Sequence, residues 1–229
     1  MRVLLLNPPY FKNFSRQSRS PCVSIGGTLY YPYFLCYAGG VLERAGIDVK
    51  ILDAVADGWS EEKLLNYVRS FKPDLVVVDT STPSIYNDVR IASKIKEIFP
   101  GTHVNLVGTH PSRLPEETFE LSEKIDSIVI GEYDYTLLDL ALTLKGSEKL
   151  ENVEGLVYRN EGIKFNPPRE LIKDLDELPF VSGVYKKHLN VRKYFYASLL
   201  YPQVTILTAR GCPYNCSFCN IPFKSSYRV

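Results

Sequence analysis

Five things are scarce or missing in this chain of 229 residues. No apolar run reaches the roughly 18 residues that a membrane-crossing helix needs. There is no excess of one charge, since 27 Lys and Arg stand against 26 Asp and Glu, with a formal net charge of +1. A general nucleic-acid scaffold would show a marked basic surplus, so no nucleic-acid partner is expected. The opening "MRVLLLNPPY" has too short an apolar core for a secretory signal and lacks a small-residue cleavage site. Cysteine is rare as well, at five residues. With a reducing cytoplasm as the expected setting, clustered thiols indicate metal binding or catalysis more often than disulfides. A fifth absence concerns order: no internal repeat is found.

What is present is a soluble, globular composition, 45% hydrophobic and 23% charged. The length permits a substantial core without staples. "VLLLN" (3–7) is a continuous apolar run stopped by Pro8 and Pro9, as in a strand buried on both faces. "FLCYAGGVLERAG" places Leu35, Ala38, Leu42 and Ala45 at helical spacing and ends on Gly46, a favoured C-terminal cap. "IDVKILDA" predicts a second strand. Ser60 is positioned to cap a helix striped with Leu64, Leu65, Val68 and Phe71. "DLVVVDT" (74–80) reads as a third buried strand, and "YNDVRIASKIKEIFPG" as a helix built on Val89, Ile91, Ile95 and Ile98. "HVNLVG" and "SIVIGE" supply strands four and five, and "YTLLDLALTLK" a further helix. Alternating apolar strands and helices predict an α/β, doubly wound, Rossmann- or flavodoxin-like fold with a five-stranded parallel sheet over residues 1–150.

In such a sheet, ligands bind beyond the C-terminal strand ends. There the chain concentrates small and hydroxylated residues: Thr80, Ser81, Thr82, Pro83 and Ser84, then Gly108, Thr109, His110 and Ser112, then Gly131, Glu132, Tyr133 and Asp134. Turns and caps also use such residues, but three loops on one edge favour a large ligand. Strand one opens into a long loop, Pro8 to Pro32, well beyond the usual two to six residues. Residues 151–203 predict a connector with a small β-hairpin around "NEG". "VTILTARG" (204–211) then predicts a strand leading into "CPYNCSFC".

Cys212, Cys216 and Cys219 form a Cys-x3-Cys-x2-Cys run. A closed zinc site wants four ligands, and Cys22, Cys36 or His188 would have to supply the fourth. A redox Cys-x-x-Cys would normally open a helix in a thioredoxin-like unit and would leave Cys212 unexplained. Three thiolates on a four-iron cluster leave one iron open to a further ligand.

"RGCPYNCSFC" resembles the signature of the radical S-adenosylmethionine superfamily, including Phe218 before the last cysteine. "LLLNPP", "YAGGVLERAGIDVKILDA", "KPDLVVVDTSTPS", "VGTHPSRLPEE" and "GLVYRNEG…DLDELPF" resemble the cobalamin-binding region of its B12-dependent branch. The resemblance implies a [4Fe-4S] cluster on Cys212, Cys216 and Cys219, whose open iron binds S-adenosylmethionine. Reductive cleavage to a 5′-deoxyadenosyl radical then serves radical methylation, cyclisation or a related rearrangement of a small-molecule or lipid-like substrate. A low-potential donor such as ferredoxin or flavodoxin is implied as the electron source. Phe218 would lie beside the adenine. Thr80, Ser81, Thr82, Pro83, Gly108, Thr109, His110, Gly131, Glu132 and Tyr133 would surround cobalamin and its nucleotide tail. Because no histidine stands in an Asp-x-His-x-x-Gly motif, including His103 and His110, base-off, His-off cobalamin is expected. No side chain can be assigned a catalytic role.

Two departures from the family pattern stand out. Members often read Gly-Glu-Gly-Glu where this chain has Gly131-Glu132-Tyr133-Asp134, and tyrosine tolerates positive φ poorly. The family's (β/α) barrel is also far longer than residues 204–229, so a truncated barrel start, inactive by itself, is expected. The alternatives are a cobalamin-binding module without catalysis and a methylthiotransferase-like protein, although the latter carries three further cysteines and only Cys22 and Cys36 precede the signature here.

Overall fold

A computed structural model describes residues 1–18, 21–146, 149–219 and 226–229. Its centre is a seven-stranded sheet formed by β1 (Arg2–Asn7), β2 (Asp48–Asp53), β3 (Leu75–Thr80), β4 (His103–Gly108), β5 (Ser127–Val129), β6 (Leu156–Arg159) and β7 (Ile163–Phe165), in the order β2-β1-β3-β4-β5-β6-β7. The first five strands are parallel, with register Leu5 opposite Ile51 and Val77, and Val78 opposite Leu106. The doubly wound parallel sheet expected from the sequence is therefore present.

Helices α1 (Tyr33–Arg44) and α6 (Asp134–Lys145) cover one face; α2 (Glu61–Phe71) and α3 (Ile85–Ile98) cover the other. Alternate strand residues divide between the faces, as the pleat requires. Val3, Leu5, Val77 and Val107 join the core under α1 and α6, whereas Leu4, Leu6, Val76 and Leu106 join that under α2 and α3. Ser60 caps α2 as expected, its hydroxyl accepting from Lys63 N at 3.2 Å. Gly46 takes a φ of +75° just past α1. Two short helices, α4 (Thr109–Arg113) and α5 (Pro115–Glu120), follow β4.

Three expectations change. The "NEG" hairpin is not a separate piece of the connector: β6 pairs antiparallel with β5 and β7 with β6, so the hairpin extends the sheet. This covers the hydrogen-bonding edge that β5 would otherwise leave open. The connector also contains a helix, α7 (Val181–His188), whose Val181, Val184 and Tyr185 are buried against the α1 face. Residues 204–209 form no strand ladder among the described residues; there Tyr37 of α1 and Tyr185 of α7 donate to the Leu207 and Thr205 carbonyls at 3.3 and 3.1 Å. Of the unit expected over 204–229, residues 220–225 lie outside the described residues. No helix among the described residues is long and apolar enough to cross a membrane.

Candidate functional site at the C-terminal edge of the sheet

All five parallel strands end on one edge, and two structures are built over it. The first comes from the long loop after β1. Phe14–Ser15 pairs antiparallel with Cys22–Val23, and Leu29 bridges to Phe195 in the connector, so the loop is tied down as a strap. From the strap, Arg16 enters the interior. Its Nη2 and Nε donate to Asp88 Oδ1 and Oδ2 at 2.6 and 3.1 Å, and its Nη1 donates to Asn7 Oδ1 at 2.7 Å. Both charged side chains are wholly inaccessible. Gln17 donates through Nε2 to Asp79 Oδ2 at 2.8 Å, and its Oε1 accepts from Phe34 N at 2.8 Å.

Three buried carboxylates thus cluster under the strap, at the ends of β2 and β3 and in the first turn of α3. Asp53 has three donors: Asn7 Nδ2 at 2.8 Å, Ala56 N at 3.0 Å and Tyr194 Oη at 2.9 Å. Asp88 has Arg16, and Ser84 Oγ donates to it at 2.6 Å. Asp79 accepts from Gln17, and burial raises its carboxyl to about 7. The sequence reading missed this cluster. Its signal was an acid closing an otherwise apolar strand, "VVVD" and "KILD", where an ionised side chain is costly unless paired.

The second structure is a cavity of about 270 Å3 beside the strap. Gly108, Thr109, Ser112 and Gly131–Asp134 form one wall; Tyr33 and Phe34 of α1 and Leu207–Gly211 of the descending chain form the others. Gly108 has φ +123°, and a Cβ there would lie 2.2 Å from Thr80 O, so only glycine permits β3 and β4 to end this close together. Gly131 also has positive φ (+81°), whereas Tyr133 has φ −107°. The tyrosine in place of the family's glycine therefore sits in an ordinary backbone region. Its ring is buried, and its hydroxyl accepts from Gln17 Nε2 at 3.4 Å.

The other predicted site residues are dispersed around this cavity. Thr80 and Ser81 are buried and locally bonded, Thr80 Oγ1 donating to Val107 O at 2.7 Å. Thr82 and Pro83 are exposed, and Pro83 O accepts from Tyr10 Oη at 3.0 Å. His110 is buried in α4; Nδ1 lies 3.4 Å from Thr82 Oγ1, and Nε2 has no hydrogen-bond partner among the described residues. Burial lowers its pKa, favouring the neutral ring. His103 stands at the opposite end of β4, bonded to Ser127 Oγ at 2.7 Å. Glu132 is engaged by Arg228, with Nη2 to Oε1 at 2.7 Å, instead of facing the cavity as a free acid.

The cysteine segment follows directly from the cavity wall. Cys212 and Cys219 are half-buried, Cys216 is exposed, and Phe218 is 90% exposed. Cys219 N donates to Cys216 O at 3.1 Å. Among the described residues no three His, Cys, Asp or Glu side chains converge as metal donors; the thiols share one short loop but not one point. The donors weighed for a fourth position lie elsewhere. Cys36 is sealed in α1 with its thiol pushed up by burial, and His188 is hydrogen-bonded to Glu43 Oε1 at 2.8 Å. Cys22 is exposed in the strap.

This architecture, a 2-1-3-4-5 parallel order with an open C-terminal edge, is that of a doubly wound ligand-binding domain. Residues 23–141 match the B12 binding domain family, and the chain belongs to it. Its relatives include an uncharacterized methyltransferase of Pyrococcus horikoshii, 31% identical over 96% of this chain and 45% of that protein. The anaerobic magnesium-protoporphyrin IX monomethyl ester cyclase of Cereibacter sphaeroides is 30% identical over 100% of this chain and 36% of its own length. The chain thus spans less than half the length of these relatives. Among solved structures, the cobalamin-dependent S-adenosylmethionine radical enzyme OxsB superposes with a TM-score of 0.76 at 21% identity, over 99% of this chain and 29% of that one. The radical S-adenosylmethionine methyltransferase TsrM of Kitasatospora setae superposes with a TM-score of 0.68 at 22% identity, over 100% and 43%. The family resemblance drawn from the sequence is borne out.

Proposed function

We propose that this chain is the cobalamin-binding and cluster-bearing part of a cytoplasmic radical S-adenosylmethionine methyltransferase or cyclase. The observation that carries the reading is a shared wall: the segment entering the cysteines, Leu207–Gly211, lines the same cavity as the loops after β4 and β5. A carrier module would have no use for that juxtaposition.

The residues suit the groups. An apolar cavity of about 270 Å3 is near the lower limit of ligand pockets, ~300 Å3. It would admit the flat nucleotide base of a cobalamin tail. Gly108, Thr109 and Gly131 present backbone there, while Tyr33, Phe34 and Leu207 exclude water. Thr80–Pro83 and His110, at the same edge of the sheet, would contact the rest of the cobalamin. Glu132 and Tyr133 act from below by fixing the wall. Cys212, Cys216 and Cys219, three thiols of one short loop, would hold a [4Fe-4S] cluster as thiolates, and the exposed Phe218 would be available to pack on an adenine. When bound, cobalamin and the cluster supply methyl transfer and the electron that cleaves S-adenosylmethionine. A low-potential protein donor supplies the electron, and a small-molecule or lipid-like substrate accepts the chemistry.

Anaerobic reconstitution followed by iron and sulfide analysis and Mössbauer spectroscopy tests the reading. Four irons per chain are expected in the intact sequence. Equal cluster content after Cys212, Cys216 and Cys219 are all changed to alanine would refute it.

A further inference from the structure

Two arginines bracket the cysteine segment, and each is held by a carboxylate of the loop after β5. Arg210 donates through Nη1 and Nη2 to Asp134 Oδ2 and Oδ1 at 2.7 and 3.1 Å. Arg228 grips Glu132 in the same two-pronged way, at 2.9 and 2.7 Å, and also donates to Ile172 O at 2.7 Å. The arginines are joined to each other through the backbone, each N–H donating to the other's carbonyl at 2.9 Å. Ser226 N donates to Cys212 O at 3.1 Å and carries this closure up to the first cysteine. Between them, Gly211 has φ +84°, and a Cβ would lie 2.2 Å from Ser226 O, so the two ends cross in contact.

These are not surface pairs. Side-chain exposure is 4% for Arg210, 3% for Asp134, 13% for Arg228 and 9% for Glu132. The Arg210 guanidinium also lies over the rings of Tyr37 and Phe34, at 5.1 and 5.5 Å. Paired planar forks fix direction as well as distance, and a buried ionic pair is better at specifying register than at adding stability. Both carboxylates stand within three residues of Gly131, and Glu132, Asp134, Arg210 and Gly211 all line the cavity. The base of the cysteine segment is thus bolted to the wall on which the tail of cobalamin is proposed to rest.

We propose that Asp134 and Glu132 are positioning residues: acting through Arg210 and Arg228, they set the width and place of the cysteine segment so that its three thiols gather one cluster beside the cobalamin edge. This rests on the cluster reading above. It gives the "EYD" carboxylates a task other than contact with the nucleotide tail.

The full chain, Glu132→Gln/Asp134→Asn and Asp134→Asn alone provide the test, with two readouts. In the cluster-free chain, exchange of the Arg210 and Arg228 amides should quicken about tenfold in the double amide variant, with β1 and β3 unchanged, because only local opening is eased. After reconstitution, iron loss to a chelator should quicken about 10- to 100-fold, the usual effect of removing groups that orient metal ligands. The reduced cluster's EPR signal should broaden as the thiols sample several arrangements. Asp134→Asn alone, which leaves Glu132 with Arg228 and Ile172, should show an intermediate quickening of iron loss, and it decides the matter if the double variant fails to fold. Iron loss and amide exchange equal to the unaltered chain would overturn the proposal while leaving the cluster reading intact. An unaltered chain that takes up no iron would instead sink the cluster reading, and this role with it.

Discussion

Replacing Arg16 by methionine should destabilise the fold by more than any surface change can. The guanidinium makes two bonds to Asp88 and one to Asn7, and neither member of the Arg16–Asp88 pair is accessible to solvent. Without it, Asp88 keeps Ser84 Oγ at 2.6 Å and Asn87 Nδ2 at 3.2 Å, both neutral donors. Breaking a buried pair from one side costs about 3–5 kcal/mol, because the remaining charge stays desolvated. The orphaned Asn7 carbonyl adds about 1 kcal/mol or more. Methionine retains part of the packing against Tyr10 and Phe14, whose rings lie 5.6 and 5.5 Å from the guanidinium. Relaxation opposes these costs, since lifting the strap lets water reach Asp88. A net loss of about 3–4 kcal/mol is expected, a large share of the ~5–15 kcal/mol typical of a domain. At about 2–4 °C per kcal/mol for a chain of this size, the midpoint should fall by ~6–16 °C. Urea unfolding followed by circular dichroism measures it. Arg16→Met/Asp88→Leu should recover much of the loss, because an apolar pair of similar volume avoids the stranded charge. A loss below about 1 kcal/mol in the single variant would refute the burial of this pair.

The pH dependence should report Asp79. Burial raises its carboxyl to about 7, against the pull of Gln17 and Arg16 and with Asp88 and Asp53 pushing it further up; in the unfolded chain it titrates near ~3.9. The folded state therefore keeps a proton that the unfolded state has released, so this group's contribution is whole below pH ~4 and is lost as pH rises through 7. The stability of the unaltered chain minus that of Asp79→Asn should fall by on the order of 2–4 kcal/mol between pH 4 and pH 8; a flat difference would contradict the assignment. Gly108→Ala should cost about 2–3 kcal/mol from positive φ and the clash with Thr80 O, and cobalamin uptake measured by absorbance should weaken in step. For cobalt, EPR of the Co(II) form should show no nitrogen splitting that depends on His110. Splitting that vanishes in His110→Ala would make the unpartnered Nε2 a ligand.

The parallel sheet, its helices and the order of the loops were legible in the residues, because strands buried on both faces must be apolar throughout and helices must repeat near 3.6. The cysteine spacing was equally local, a matter of eight consecutive positions. What the sequence could not convey was pairing across distance. Nothing in "NFSRQS" marks Arg16 as the partner of Asp88, 72 positions away, since a charged residue in a polar loop ordinarily faces water. The hairpin at 156–165 was visible as a hairpin, but only the open edge of β5 decided that it would join the sheet. Glu132 and Asp134 read as members of a ligand loop, and their engagement depends on where Arg210 and Arg228 arrive. Short-range periodicity is written into neighbouring side chains by the geometry of one helix or strand. Charge pairs exist only once packing has brought distant segments together and removed the water that would otherwise have satisfied each ion alone.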